Sequence, residues 1–204
     1  MKRVPAPDAI QPQSFEFTAE NLEKAKKIIA RYPPKRQASA VMPLLDIAQR
    51  QHENWVPRAA MDHIAELLEM PRIRVYEVAT FYTMYNLAPV GRHFVQVCTT
   101  TPCWLRGSGD VLEACRRKLG IEIGETTDDK AFTVIEVECL GACVNAPMMQ
   151  IGDDYYEDLS AESTERILDA LARGETPKPG SQIGRHTSEP AGGATTLKPV
   201  GEEA

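Results

Sequence analysis

The chain has 204 residues, of which 43% are hydrophobic and 25% charged: enough for one ordinary domain and a smaller helical piece, and unlike a disordered chain. Twenty-three basic against 29 acidic side chains leave a net charge of −6, and no Lys/Arg cluster is interleaved with aromatics, so nucleic acid and anionic membrane surfaces are excluded as expected partners. No run of about 18 apolar residues could span a bilayer, and Met1-Lys2-Arg3-Val4-Pro5-Ala6-Pro7 lacks the apolar stretch of a secretory signal, so an intracellular location without membrane insertion is expected.

Residues 1–17 are polar and hold Pro5, Pro7 and Pro12, which reads as an extended arm with no packed structure of its own, free to drape over a partner. Thr18 is the expected N-cap of a helix that places Leu22, Ala25, Ile28 and Ile29 at helical spacing and stops at Pro33-Pro34. The spacing predicts a second helix over 38–52, with Val41, Leu44, Leu45 and Ala48 on one stripe. A third opens at Pro57 with Met61, Ile64, Leu67 and Leu68, and a fourth at Pro71 with Val75, Val78, Phe81, Tyr82 and Tyr85. Together they make a helical bundle over residues 18–88.

At Ala88-Pro89-Val90-Gly91 a loop signal intervenes and the hydrophobic period falls to two, which starts a second, α/β domain over residues 89–174. His93 to Cys98 reads as a strand, Ser108 to Leu119 as a helix, and Phe132 to Glu138 as a strand with Ile135 and Val137 on one face and Glu136 and Glu138 on the other. That is a βαβ unit. Met148 to Ile151 and Tyr155-Tyr156 flank Gly152-Asp153-Asp154 as a hairpin, and Ser160 caps a last helix with Ile167, Leu168 and Leu171, ending at Gly174. Residues 175–204 are rich in Gly, Pro, Ser and Thr, so they read as an extended tail ordered only by a partner.

Five cysteines in a chain with no mark of export argue for metal or redox chemistry over a disulfide framework. Cys98-Thr99-Thr100-Thr101-Pro102-Cys103 and Cys139-Leu140-Gly141-Ala142-Cys143 each follow a predicted strand. Strands of a βαβ unit run parallel, so both loops emerge at one sheet edge and four thiolates can converge. A tetrahedral zinc accepts four thiolates, but its knuckles favour two-residue spacers, whereas these spacers are four and three. Two irons each need two thiolates, and the wider spacing suits a [2Fe–2S] cluster. The cluster ranks ahead, and a zinc-stabilised interaction module stays open beside it.

Backbone N–H groups at Gly107, Gly109 and Gly141, the N-terminus of the helix starting at Ser108, and Arg106 are candidate sources of positive field near the sulfurs. Cys115 falls on the apolar stripe of its helix and is assigned to packing. No cysteine pair has the two-residue spacer of a thioredoxin dithiol, so that redox role is weak. His52, His63, His93 and His186 are scattered, Asp128-Asp129 and Asp153-Asp154 read as solvated turns, and no catalytic residue is expected. Gly107-Ser108-Gly109 is too short for a phosphate loop or dinucleotide fingerprint, so any nucleotide is bound by another chain.

Both cysteine pairs with their 35 intervening residues, Glu138-Cys139-Leu140-Gly141-Ala142-Cys143 leading to Asn145-Ala146-Pro147, the segment Val75-Tyr76-Glu77-Val78-Ala79-Thr80-Phe81-Tyr82, and Ser188-Glu189-Pro190 resemble one family over nearly the whole chain. It is the 24 kDa subunit family of NADH:ubiquinone oxidoreductase (respiratory complex I), a thioredoxin-like [2Fe–2S] ferredoxin. The resemblance implies a helical bundle followed by a thioredoxin-like domain, with Cys98, Cys103, Cys139 and Cys143 as ligands of one [2Fe–2S] cluster. It further implies docking on a flavoprotein subunit that binds NADH and FMN, beside the iron–sulfur subunit of the same peripheral arm. That arm lies on the cytoplasmic side of a bacterial inner membrane or in the mitochondrial matrix. The cluster then exchanges single electrons with the flavin, and the catalytic site lies on another chain of the oxidoreductase. Diaphorase modules of NAD-linked hydrogenases and formate dehydrogenases use similar subunits.

Overall fold

The Thr18 hydroxyl accepts the Asn21 N–H at 3.3 Å and opens α1, Ala19–Ile29, as its position suggests. In the computed structural model, which describes residues 4–193 and residue 196, the chain divides between Val90 and Gly91 into two units. The first continues through a 3₁₀ turn, Gln37–Ala40, into α2, Val41–Gln51, then α3, Arg58–Leu67, and α4, Arg72–Phe81. Pro57 and Pro71 stand immediately before the last two, where a missing N–H costs nothing. Ala25, Leu44, Leu45, Ala48, Ile64, Val75 and Ala79 are fully enclosed in one core. Each buried leucine or isoleucine contributes about 1.5–3 kcal/mol to holding the helices together.

Three expectations for this unit are corrected. Residues 38–40 lie in the 3₁₀ turn ahead of α2. The fourth helix stops at Phe81, where Tyr82 turns extended; Phe81 is 76% exposed, and Tyr85 reaches the core from a turn, its hydroxyl donating to the Met42 carbonyl at 2.8 Å. The described part of the N-terminal arm packs on its own unit. Ala6 and Phe17 are buried, the Ala6 N–H donates to the Leu87 carbonyl at 2.8 Å, and Gln51 and Gln11 side chains bond the arm to α2 and α3. Residues 1–3 lie outside the described residues.

The second unit is built on β1, His93–Cys98, the short α5, Thr101–Leu105, α6, Ser108–Leu119, and β2, Phe132–Val137. A hairpin of β3, Met149–Ile151, and β4, Asp154–Glu157, then leads to α7, Ala161–Ala172, and β5, Gly180–Ser181. The sheet order is β2-β1-β3-β4-β5, with β1–β2 and β4–β5 parallel and the other pairs antiparallel. The hairpin turn is Gly152-Asp153, with Asp154 already in β4. Ser160 and Ser163 cap α7 reciprocally, and Gly120 in the left-handed region ends α6. Gly91 is obligatory: a Cβ there would lie 2.5 Å from the Phe132 carbonyl carbon, while its N–H donates to the Thr133 hydroxyl at 2.6 Å.

β2 is buried from Phe132 to Ile135, and the Gly124–Thr127 segment bonds along its outer edge; from Ile135 on, the anticipated alternation holds, with Ile135 buried, Val137 half-buried and Glu136 and Glu138 exposed. One further expectation changes here. The tail is self-packed through residue 189. β5 pairs with β4, and Arg185 forms an ion pair with Asp158 in which both side chains are under a tenth exposed. Strand pairing, a buried ion pair and side-chain bonds such as Asn145 to the Thr187 carbonyl together fix a segment whose apolar content is low. Residues 194, 195 and 197–204 of the expected tail lie outside the described residues.

Candidate metal centre

β1 ends at Cys98 and β2 at Val137, and the parallel register pairs those two residues. The chains leaving both strands therefore start side by side, and the Thr99 N–H donates to the Val137 carbonyl at 3.3 Å. From β1 the chain enters α5, which carries Cys103 on its buried face. From β2 it passes Cys139 and reaches Cys143 at the head of a 3₁₀ turn, Cys143–Asn145, that packs against α5. Cys98 and Cys103 are 1% exposed; Cys139 and Cys143 are exposed.

The sulfurs come in two pairs. Cys139 Sγ and Cys143 Sγ are 3.4 Å apart and free, while Cys98 and Cys103 lie near enough for each to shift the other's thiol. The charge of Cys98 is felt at Cys139 and Cys143, and that of Cys143 at Cys103, so the pairs share one field. Among the described residues no three His, Cys, Asp or Glu side chains gather around a single-ion position.

Donors surround the pairs. The Thr100 hydroxyl lies 3.2 Å from Cys98 Sγ, and the N–H groups of Thr100 and Leu140 also serve that sulfur. The Gly141 N–H donates to Cys139 Sγ at 3.4 Å, and the Met148 N–H serves Cys103. Gly141 adopts φ +87°, where a side chain would strain the backbone although space for one is open. Burial opposes ionisation of Cys98, yet the Thr100 and Leu140 donors outweigh it and hold the thiol below its ordinary value. Burial and the neighbouring Cys98 push Cys103 up to about 12. The Gly141 N–H lowers Cys139, and the bond to Cys139 raises Cys143. In each pair one thiol is shifted down and its neighbour up, the direction expected of two thiols that share donors and repel each other's charge. Ala146 and Met148 close over the inner pair, and the Tyr155 hydroxyl pins the second loop through the Leu140 carbonyl at 2.9 Å. Two thiol pairs, backbone donors and a dry inner wall fit a [2Fe–2S] group.

Cys115 is fully buried in the core of this unit, where burial pushes its thiol up to about 12. Of the anticipated donors, the Gly141 N–H serves a sulfur, while the Gly107 N–H is spent on the Trp104 carbonyl and the charge of Arg106 is felt at Asp158. Thr100 was missed, although a hydroxyl two residues beyond the first cysteine was there to be read.

The family model for thioredoxin-like [2Fe–2S] ferredoxins matches residues 25–172. An NADH-quinone oxidoreductase subunit of Rickettsia bellii (strain RML369-C) is 58% identical over 158 residues, covering 78% of this chain and 95% of the relative. The mitochondrial NADH dehydrogenase [ubiquinone] flavoprotein 2 of Dictyostelium discoideum is 50% identical over 202 residues, covering 98% and 82%. Among solved structures, the NAD+-reducing [NiFe]-hydrogenase in the H2-reduced state shares the fold with a TM-score of 0.56 at 18% identity, over 66% of this chain and only 23% of that one. With well over half its length matched, the chain belongs to the thioredoxin-like [2Fe–2S] ferredoxin family.

Proposed function

We propose that this chain is the one-electron iron–sulfur subunit of the NADH-oxidising module of an NADH–quinone oxidoreductase, and that Cys98, Cys103, Cys139 and Cys143 hold its [2Fe–2S] cluster. The observation that carries this reading is the pairing of four thiols at the ends of adjacent parallel strands in a chain of this family. Bound there, the cluster supplies a store that accepts and returns one electron at a time. The chain's own residues set the conditions: Thr100, Leu140, Gly141 and Met148 direct donors at thiolate charge, while Ala146 and Met148 keep water from the inner pair. The spacers of four and three residues and the close Cys139–Cys143 pair support two irons over one tetrahedral zinc.

No phosphate loop or dinucleotide fingerprint occurs in the sequence, so hydride removal from NADH belongs to a flavoprotein partner carrying FMN, with the iron–sulfur subunit of the same peripheral arm beside it. Trp104, Leu105 and Val144, each about two-thirds exposed, flank the ligands on α5 and the 3₁₀ turn and offer that partner an apolar rim. Among the described residues no helix is long and apolar enough to cross a membrane. The assigned place is a peripheral arm on the cytoplasmic face of a bacterial inner membrane, or its mitochondrial-matrix equivalent. A quinone-linked host is preferred over a hydrogenase because the relatives at 58% and 50% identity carry NADH-quinone oxidoreductase and NADH dehydrogenase names, whereas the hydrogenase match at 18% supports fold alone.

The test is metal analysis of the purified chain with electron resonance after reduction. About two iron and two sulfide per chain with a rhombic signal is expected; stoichiometric zinc without iron overturns the proposal.

A further inference from the structure

The segment from Gly180 to Glu189 runs along the sheet edge as β5 and then seats a buried arginine against the second cysteine turn. The Arg185 guanidinium forms a two-point pair with Asp158, Nε to Oδ2 at 3.0 Å and Nη2 to Oδ1 at 2.7 Å. The same head donates from Nη1 to the Glu189 carbonyl at 2.7 Å and from Nη2 to the carbonyl of Val144, the residue after Cys143, at 2.8 Å. Asp158 is itself fixed by the Ser181 hydroxyl at 2.6 Å, and its N–H donates to the Asn145 carbonyl at 2.7 Å. The Asn145 side chain donates in turn to Glu157 Oε2 at 2.6 Å and the Thr187 carbonyl at 2.8 Å. Two consecutive residues of the Cys143 turn are therefore held by the tail.

That turn needs holding. It is a three-residue 3₁₀ segment whose internal bonds are Asn145 N–H to the Ala142 carbonyl at 3.0 Å and a long 3.4 Å contact from Ala146 N–H to the Cys143 carbonyl. So short a turn has no helical cooperativity to keep an exposed thiol in place. We propose that Arg185 is a positioning residue for the metal centre: through the Val144 carbonyl it fixes the turn bearing Cys143, so the C-terminal segment locks the outer thiol pair. This rests on the ligand assignment made above. Stability alone does not demand an arginine, since buried ion pairs are often replaceable by apolar packing. Reaching a carboxylate and two carbonyls at once does demand one, because only the planar fork presents donors in those directions, and lysine keeps the charge without the fork. Because Asp158 neutralises Arg185, the restraint is geometric and acts on ligand placement more than on the field at the sulfurs.

The experiment uses the full-length, cluster-loaded chain and compares Arg185→Lys, Arg185→Gln and Leu168→Ala, the last removing a fully buried side chain of α7 in the same unit. Iron release to a ferrous chelator, the resonance line shape of the reduced chain and the melting temperature are read for each. Both Arg185 variants are expected to release iron about tenfold faster, at the lower end of outer-sphere effects, with a broadened resonance. Leu168→Ala, destabilised as much or more, should release at the parent rate with the parent line shape. Failure of both Arg185 variants to take up a cluster that Leu168→Ala accepts is the same result in stronger form. Release rates that simply follow melting temperature across all three, or parent-like release in the Arg185 variants, overturn the latch. A Cys143→Ser chain that keeps the parent spectrum overturns the ligand assignment instead, which a failed latch alone leaves standing.

Discussion

Replacing Asp158 by Asn would strip the charge from a carboxylate 6% exposed while leaving Arg185, 8% exposed, without its counter-ion. Two charge-assisted contacts, at 3.0 and 2.7 Å, are lost or reversed, because an amide can accept one guanidinium N–H but sets its own NH₂ against another. Breaking one side of a fully enclosed pair costs about 3–5 kcal/mol; with one acceptor surviving and both residues only half-buried overall, the loss here is smaller. Hydrogen exchange read by mass spectrometry on peptides of the second unit should then show its best-protected amides opening roughly tenfold faster at pH 7. The Arg185 and Ser181 bonds outweigh burial and hold Asp158 below the usual carboxylate range. A carboxyl depressed in the folded state contributes stability that is complete above the unfolded value near ~4 and is lost as pH falls through the folded one. The gap between parent and variant should therefore be constant from neutral pH down to about 5 and close below about 4. Adding Arg185→Gln should restore part of the loss, because it removes the orphaned charge. Unchanged exchange, or a gap that widens in acid, would refute the reasoning.

Cys98→Ser should weaken or abolish the visible absorbance of the loaded chain while Cys115→Ser leaves it intact; equal loss in both variants sinks the ligand assignment. Thr100→Val removes the hydroxyl 3.2 Å from Cys98 Sγ, a donor that favours the more negative reduced state. The midpoint potential should fall by roughly 20–60 mV, one hydrogen bond's worth in a one-electron couple, and a rise measured by redox titration contradicts the donor role. Gly91→Ala forces a Cβ to within 2.5 Å of the Phe132 backbone, which cannot give way as a side chain would. Urea unfolding should report a loss of roughly 1–3 kcal/mol, the range of overpacking, and an unchanged midpoint would show that β2 can yield.

What could be read from the chain was whatever depends on neighbours in sequence. Thr18 and Ser160 cap the helices their positions suggest, because an N-cap bond closes within three residues. The parallel pairing of β1 and β2 followed from a βαβ pattern, and with it the meeting of the two cysteine loops at one edge. What escaped depends on distant partners. Tyr85 continues the α4 periodicity on paper, yet the Met42 carbonyl, 43 residues away, captures it from a turn. Low apolar content makes the tail read as free, but β5 pairing, the Asn145 bond to the Thr187 carbonyl and an arginine reaching 27 residues back to Asp158 anchor it. The arm likewise docks through Gln51 and Gln11, side chains that carry no periodic signal. The Cys98-to-Cys103 segment reads as a loop after β1, whereas α5 forms over Thr101–Leu105, since proline in a first helical turn loses no hydrogen bond.

The four cysteines are unequal, and the inequality bears on how the centre works in an assembly. Cys98 and Cys103 sit behind Met148 and Ala146, while Cys139 and Cys143 lie open beside the exposed Trp104, Leu105 and Val144. A partner seated on that rim would cover the outer pair and remove its water. In most sites such desolvation would have to be answered by donors from the partner, since thiolate charge in a drier medium needs compensation. Here the donors already belong to this chain: the Thr100 hydroxyl and the N–H groups of Thr100, Leu140, Gly141 and Met148. The turn geometry is likewise set internally, by Arg185, Asn145 and Tyr155. On the proposed ligand assignment these residues of the chain itself set the electronic character of the centre, and the resonance of the isolated loaded chain should match in line shape the corresponding signal of the assembled oxidoreductase. A line shape that changes on assembly would mean that the partner supplies a donor or charge that these residues do not.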